Sequence, residues 1–377
     1  MRARAHGARS SRSLKEEKGM NIAKQIVRTS LAVNDQDIVH VSASPHTLNL
    51  AFEVAQEVER AGGELYFTVW GDDLFVTEMR EVSDEYLKRE PRVEKELAEL
   101  VTAEIHLAGI ADPKVFDRSS PARMSLGAEH SQVISERKRA RGVREAFVGL
   151  SQVTPQRARK YGVSYPKWKR IVTAALGANL NAIRTKGQLA AKNLDGAPKV
   201  HLTGPGTDLR MSLSGRSALV EDGIVDSDDI ERGFPYTSLP TGWIAIAPVE
   251  DSVNGRVTFD PFPLWGRWVK GPTWEFRDGK LASFAASQNE KLFRQFYDAG
   301  VGDKDRLGWL SIGLNPKTTY LGAFVDSFVP GAISLSLGEN VSLGGTNKGP
   351  FSMSATIRGA TLKTDGFELV KNGKVKV

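Results

Sequence analysis

The apolar positions change period twice between Asp37 and Val69. "DIVHVSA" (Asp37–Ala43) is a run of β-branched and apolar residues and predicts a strand. Leu48, Ala51, Val54, Ala55 and Val58 then recur at helical spacing. Gly62-Gly63 stops that helix, because glycine takes the left-handed conformation a helix end demands. "ELYFTVW" (Glu64–Trp70) returns as a strand. Strand, helix, strand implies a parallel sheet with a right-handed crossover. "AEIHLAGI" (Ala103–Ile110) and "REAFVGL" (Arg144–Leu150) continue the series between helical stretches, and Tyr165–Gly177 predicts another helix. Residues 20–196 therefore read as an α/β domain with an open, mostly parallel sheet.

The texture changes near Ala197. "KVHLTGPGTDLRMSLSGR" (Lys199–Arg216) reads as strand, tight turn, strand. Its "GPGTD" has no helix after it, so it is a turn and not a phosphate loop. Short apolar runs follow, broken at Asn254-Gly255, Asp278-Gly279, Asp365-Gly366 and Asn372-Gly373. Such pairs suit the positive φ angles of hairpin turns. One helix is predicted near "SQNEKLFRQFYDAG". Residues 197–377 read as a β-rich α+β domain.

Composition and charge narrow the chemistry. The chain has no cysteine, which excludes disulfides, thiolate metal sites and a cysteine nucleophile. No apolar run reaches the ~18 residues of a membrane span, so a soluble, cytoplasmic protein is expected. Residues 1–19 carry six basic and two acidic residues, most of the net charge of +6, and read as a disordered basic tail, a leader or an upstream start. The basic residues from Arg137 to Arg144 and from Arg157 to Arg170 read as a solvated helical face rather than a nucleic-acid footprint. All six histidines precede residue 202. Beyond His201, in its first strand, the β-rich half thus offers neither histidine nor cysteine to zinc or its relatives.

Five segments of that half carry a resemblance. "GTDLRMSLSGR" (Gly206–Arg216), "LPTGW…APVEDSVNG" (Leu239–Gly255), "RLGWLSIGLNP" (Arg306–Pro316), "GAISLSLGENVSLGG" (Gly331–Gly345) and "NKGPFSMSATI" (Asn347–Ile357) together resemble the aminopeptidase T/S family of metallopeptidases. The resemblance implies that family's fold, a homodimer, and a metal pair held by two Glu, two His and one Asp. Such a pair polarises a peptide carbonyl and generates a hydroxide nucleophile.

Mapped residue by residue, the chain departs at every implied ligand. The two Glu positions are Trp243 and Trp309, the first His position is Ser334, and the His-x-Asp pair is Ser352-x-Ser354. Serine hydroxyls are weak ligands and an indole nitrogen only donates. No metal and no cofactor are expected. The two indoles either fill the volume that metals and waters would take or stack on a small-molecule ligand. Glu250, Asp326 and Glu339 are candidate cleft or rim carboxylates. Ser334, Ser352 and Ser354 lack a nearby histidine base, which argues against a serine nucleophile. His40 and His46 sit at the end of the first strand, where such sheets bind ligands, although pairing with local backbone is the commoner role. The expectation is a metal-free, non-peptidase homologue retained for binding or assembly. The alternatives are an enzyme using the Trp/Ser cleft on a small substrate, or a residual metal-dependent aminopeptidase.

Overall fold

The computed structural model describes residues 21–322 and 324–377, so the tail expected at residues 1–19 lies outside the described residues. Five parallel strands form the first sheet, in the order Glu64–Val69, Ile38–Ala43, Ala103–Leu107, Arg144–Val148, Tyr236–Leu239. The fifth strand comes from well past residue 197, so the chain crosses back into the α/β layer after the β-rich half has begun. That return matters for the site, because Leu239 leads directly into the segment carrying Trp243.

Alternation along these strands sorts the two faces. Val39, Val41, Ala43, Ile105, Leu107, Ala146 and Val148 are fully buried against the helices Leu48–Ala61 and Tyr165–Leu176. Positions between them carry His40, Glu104, His106 and Glu145. A parallel sheet normally buries apolar residues on both faces, so this polar row is unusual. Gly62 ends the first long helix at φ +94°, as its position after the helical pattern predicts.

The core of the β-rich half is two antiparallel sheets packed face to face, beside a two-stranded ribbon of Phe262–Leu264 and Arg267–Val269. Leu202, Leu209, Val257 and Trp274 of the eight-stranded sheet meet Ile244, Ile246, Leu310, Ile312, Ile333 and Leu335 of a five-stranded one. Asp278-Gly279, Asp365-Gly366 and Asn372-Gly373 take positive φ at both residues and close hairpins. Asn254-Gly255 does not. It lies inside the strand Asn254–Thr258, with Gly255 paired to Leu209 and Phe276. A Cβ on Gly255 would stand 2.2 Å from the Asp208 carbonyl oxygen, so the glycine serves close strand approach and not a turn. Among the described residues no helix is long and apolar enough to cross a membrane.

The basic residues near 140 are tied inward. Arg137 pairs with Glu99, Lys138 with Glu104 and Arg144 with Asp37, while Arg141 donates to the Val101 carbonyl. Lys138 thereby holds helix to sheet, and Arg137 holds the helix Ala128–Ala140 to the helix Arg92–Leu100.

Candidate functional site

The five-stranded antiparallel sheet runs Ser352–Ile357, Ile333–Gly338, Leu307–Gly313, Trp243–Ile246, Leu219–Glu221. Its isoleucines and leucines enter the core, so the alternate positions define the other face. Register aligns that face in rows. Trp309 stands opposite Ser336, and Ser336 opposite Ser354. Ser311 opposes Ser334 and Ala245, and Ser352 opposes Gly338. Trp243 opposes Gly313 on one side and Glu221 on the other. All five mapped positions therefore share one face of one sheet, spread over four strands.

Local sequence explains how Trp243 reaches this face. Gly242 adopts φ +114° and lies against Asn315, whose Cβ would be 2.9 Å from a Cβ on the glycine. The Asn315 side chain donates to the carbonyls of Thr241 (2.7 Å) and Ala175 (3.0 Å), and the Leu314 amide donates to the Gly242 carbonyl at 2.8 Å. "LPTGW" and "GLNP" thus clamp each other, and the clamp bonds also to the helix Tyr165–Leu176.

The indoles of Trp243 and Trp309 stack, with centroids 6.4 Å apart and planes 17° from parallel. Phe234 meets Trp243 edge-on at 6.3 Å, and Leu219, Ala245, Ala247 and Leu343 complete the apolar cluster. Beyond it the face is hydroxylic. The Ser334 hydroxyl bonds that of Thr356 at 2.8 Å, and those of Ser336 and Ser352 lie 3.3 Å apart. Ser334 and Ser336 are buried while Ser352 and Ser354 are exposed. Among the described residues no basic side chain hydrogen-bonds any of these hydroxyls.

The cleft residues do not line one common cavity. Ser354 and Asp326 line a cavity of about 380 Å³ where the α/β half meets the β-rich half. Ser352 and Glu339 line a separate one of about 480 Å³. Trp243 and Trp309 line neither; they pack on each other, and Trp243 also meets Phe234. Asp326 accepts from the Leu321 and Gly322 amides at 2.8 and 2.7 Å. Glu250 is a structural clamp, pairing with Arg216 at 2.6 Å and accepting from the Thr346 amide at 2.7 Å. Burial alone would raise its pKa, but these donors and Arg216 hold it below the usual range. Glu339 accepts from the Ser342 amide at 3.1 Å.

Three further residues escaped sequence reasoning. Ser336 was legible in principle, since "ISLSLG" alternates and puts it beside Ser334. Glu221 is buried in register with Trp243, where Thr237, Thr241 and the Ser238 amide surround its carboxyl. Burial pushes its pKa up to about 7 against those hydrogen bonds. Arg157 lines the 380 Å³ cavity from the α/β side. Neither Glu221 nor Arg157 has a sequence signal, because tertiary packing alone brings them there.

In the α/β half, Glu104, His106 and Glu145 form a group with metal-ligating atoms within 4.8 Å of one another. The Glu104 oxygens are already engaged, by His40 Nδ1 at 3.0 Å and Lys138 Nζ at 2.5 Å. Burial would raise the Glu104 pKa; the His40 hydrogen bond and the charges of His106 and Lys138 bring it down to about 2. His46 bonds the Ser151 carbonyl at 2.9 Å.

The sequence profile of the thermophilic metalloprotease (M29) family matches residues 15–319. The chain belongs to this family. The matched span includes Trp243 and Trp309 and ends before Ser334, Ser352 and Ser354. Wild-type AmpT from Thermus thermophilus is similar in structure at a TM-score of 0.72 and 18% identity, over 94% of this chain and 98% of that one. The 2,5-dihydroxypyridine dioxygenase of Pseudomonas putida KT2440 is similar at 0.62 and 14%, over 94% and 96%. At such identities these likenesses show the shared M29-type fold. No curated protein matches the chain.

Proposed function

We propose that this M29-family chain lacks metal-dependent peptidase chemistry and binds a small molecule in the cavity beside its serine-bearing sheet face. The observation that carries the reading is the stacked Trp243–Trp309 pair at the two positions where the family resemblance implies Glu ligands. An indole cannot accept a metal. The hydroxyls of Ser334, Ser352 and Ser354 are weak ligands, and no histidine follows His201. The fold itself is no obstacle to a changed function, since one of its structural relatives is named a dioxygenase. Assay of the purified chain for leucine release from a peptide, with and without added zinc or cobalt, tests this. No release is expected in either condition, and metal-dependent release would sink the reading.

A second reading draws on a separate observation, the Glu104–His106–Glu145 group, which has the donor set of a divalent-cation site. It is the weaker one, because a cation there would have to displace Lys138 from Glu104.

A further inference from the structure

The 380 Å³ cavity lies within the ~300–1,000 Å³ range of small-molecule sites. Its walls are largely aromatic and apolar, with Trp168, Phe262 and Phe324 among them, and Ser354 and Thr356 supply hydroxyls on the β-rich side. Charge is what distinguishes it. Its two carboxylates are already served. Asp260 takes the Arg358 guanidinium in a two-pronged pair at 3.0 and 3.1 Å and the Arg358 amide at 2.8 Å. Asp326 takes the Leu321 and Gly322 amides.

Arg157 is not matched in the same way. Its Nε donates to the Ile110 carbonyl at 2.8 Å, which fixes the guanidinium plane. Among the described residues no carboxylate lies within ion-pair distance of it. Burial holds its pKa below the ordinary value, against the pull of Tyr161 and Asp72. A partly buried guanidinium without a counter-ion is costly, and an anion supplied from outside offsets that cost. The Tyr161 side chain takes a further hydrogen bond from it, and of the five N–H donors of a guanidinium three then remain for a carboxylate.

We infer that the cavity takes a small carboxylate with an apolar, ring-sized body, its carboxylate on Arg157 and its ring among Trp168, Phe262 and Phe324. The inference rests on the proposed function, in that the ligand meets hydroxyls and not a metal on the sheet side. It goes further in naming the ligand's charge and shape.

The test titrates the full chain with benzoate, its neutral isostere benzamide, and inorganic phosphate, each in chelator-treated and in zinc-supplemented protein. Benzoate should bind at least ~10-fold more tightly than benzamide, the factor expected for a charge-assisted pair. Arg157→Met should erase that preference. Because this variant also loses the bond to Ile110, Ser354→Phe serves as a second, filling the cavity from an exposed strand position; it too should abolish benzoate binding. Equal affinity for benzoate and benzamide in both samples overturns the Arg157 assignment alone. Phosphate binding as tightly as benzoate overturns the ring-bearing carboxylate in favour of a bare anion site. Undiminished benzoate binding by Ser354→Phe overturns the placement. A benzoate preference that appears only after zinc addition refutes the metal-free reading, and with it this inference.

Discussion

Replacing Glu221 by Gln removes one titrating carboxyl from beneath the Trp243 row, and the structure specifies what that does to stability. The Glu221 pKa lies near 7 in the folded chain against 4.5 in a free carboxyl, because burial disfavours its charge more than Thr237, Thr241 and Ser238 favour it. The geometry suits the protonated form. Thr241 Oγ1 reaches both the Glu221 carbonyl (3.1 Å) and its carboxyl. With its one proton on the carbonyl, that hydroxyl can accept from a neutral acid. Between pH 4.5 and 7 the folded chain holds a proton that the unfolded chain has released, so stability falls as pH rises across that window and levels off above it. The interval corresponds to roughly 3 kcal/mol lost between pH 4.5 and pH 8. Glu221→Gln cannot lose it. Urea unfolding of both proteins at pH 5, 6, 7 and 8 gives a difference in which other titrating groups, such as Asp229, largely cancel. The wild type should be the more stable at pH 5, and its advantage should shrink or reverse by about 3 kcal/mol by pH 8. A difference constant to within ~0.5 kcal/mol across that range would refute the reasoning.

Trp243→Ala and Trp309→Ala should each cost about 2–3 kcal/mol, below the usual range for fully buried aromatics because both rings are partly exposed. Their double-mutant cycle should show a coupling of ~0.5–1.5 kcal/mol from the stacked pair; additive, near-zero costs would mean the rings are not packing elements. Sedimentation should find a two-fold dimer of about 82 kDa, twice the 41.2 kDa chain, and a monomer at micromolar concentration would count against it.

Much of the architecture was legible because it is written in periodicity. The alternation in "WIAI" (Trp243–Ile246) and "ISLSLG" (Ile333–Gly338) both predicts strands and decides which residues share a face. That is why five positions chosen by resemblance fall on one surface. What failed was non-local. Tyr236–Leu239 is a short segment whose parallel pairing with Arg144–Val148 depends on a strand ninety residues earlier in the chain. Asn254-Gly255 has a turn's composition, but Gly255 is glycine because another strand passes too close for a Cβ. The extent of the cleft was also overdrawn. The indoles pack on each other and Trp243 on Phe234, while Ser354 and Ser352 look into different cavities. That Arg157 forms no carboxylate ion pair depends on tertiary packing around it, and no linear pattern encodes that.

The central claim is that the sheet face of Trp243, Trp309, Ser334, Ser352 and Ser354 holds no metal, and metal content tests it most directly. Protein purified without chelator should carry well under one equivalent of zinc, cobalt, manganese or iron per chain. Its melting temperature should be unchanged by excess chelator, since no metal-binding free energy supports the fold. Stoichiometric zinc that survives Glu104→Gln and is lost on mutation of the sheet face would contradict the account.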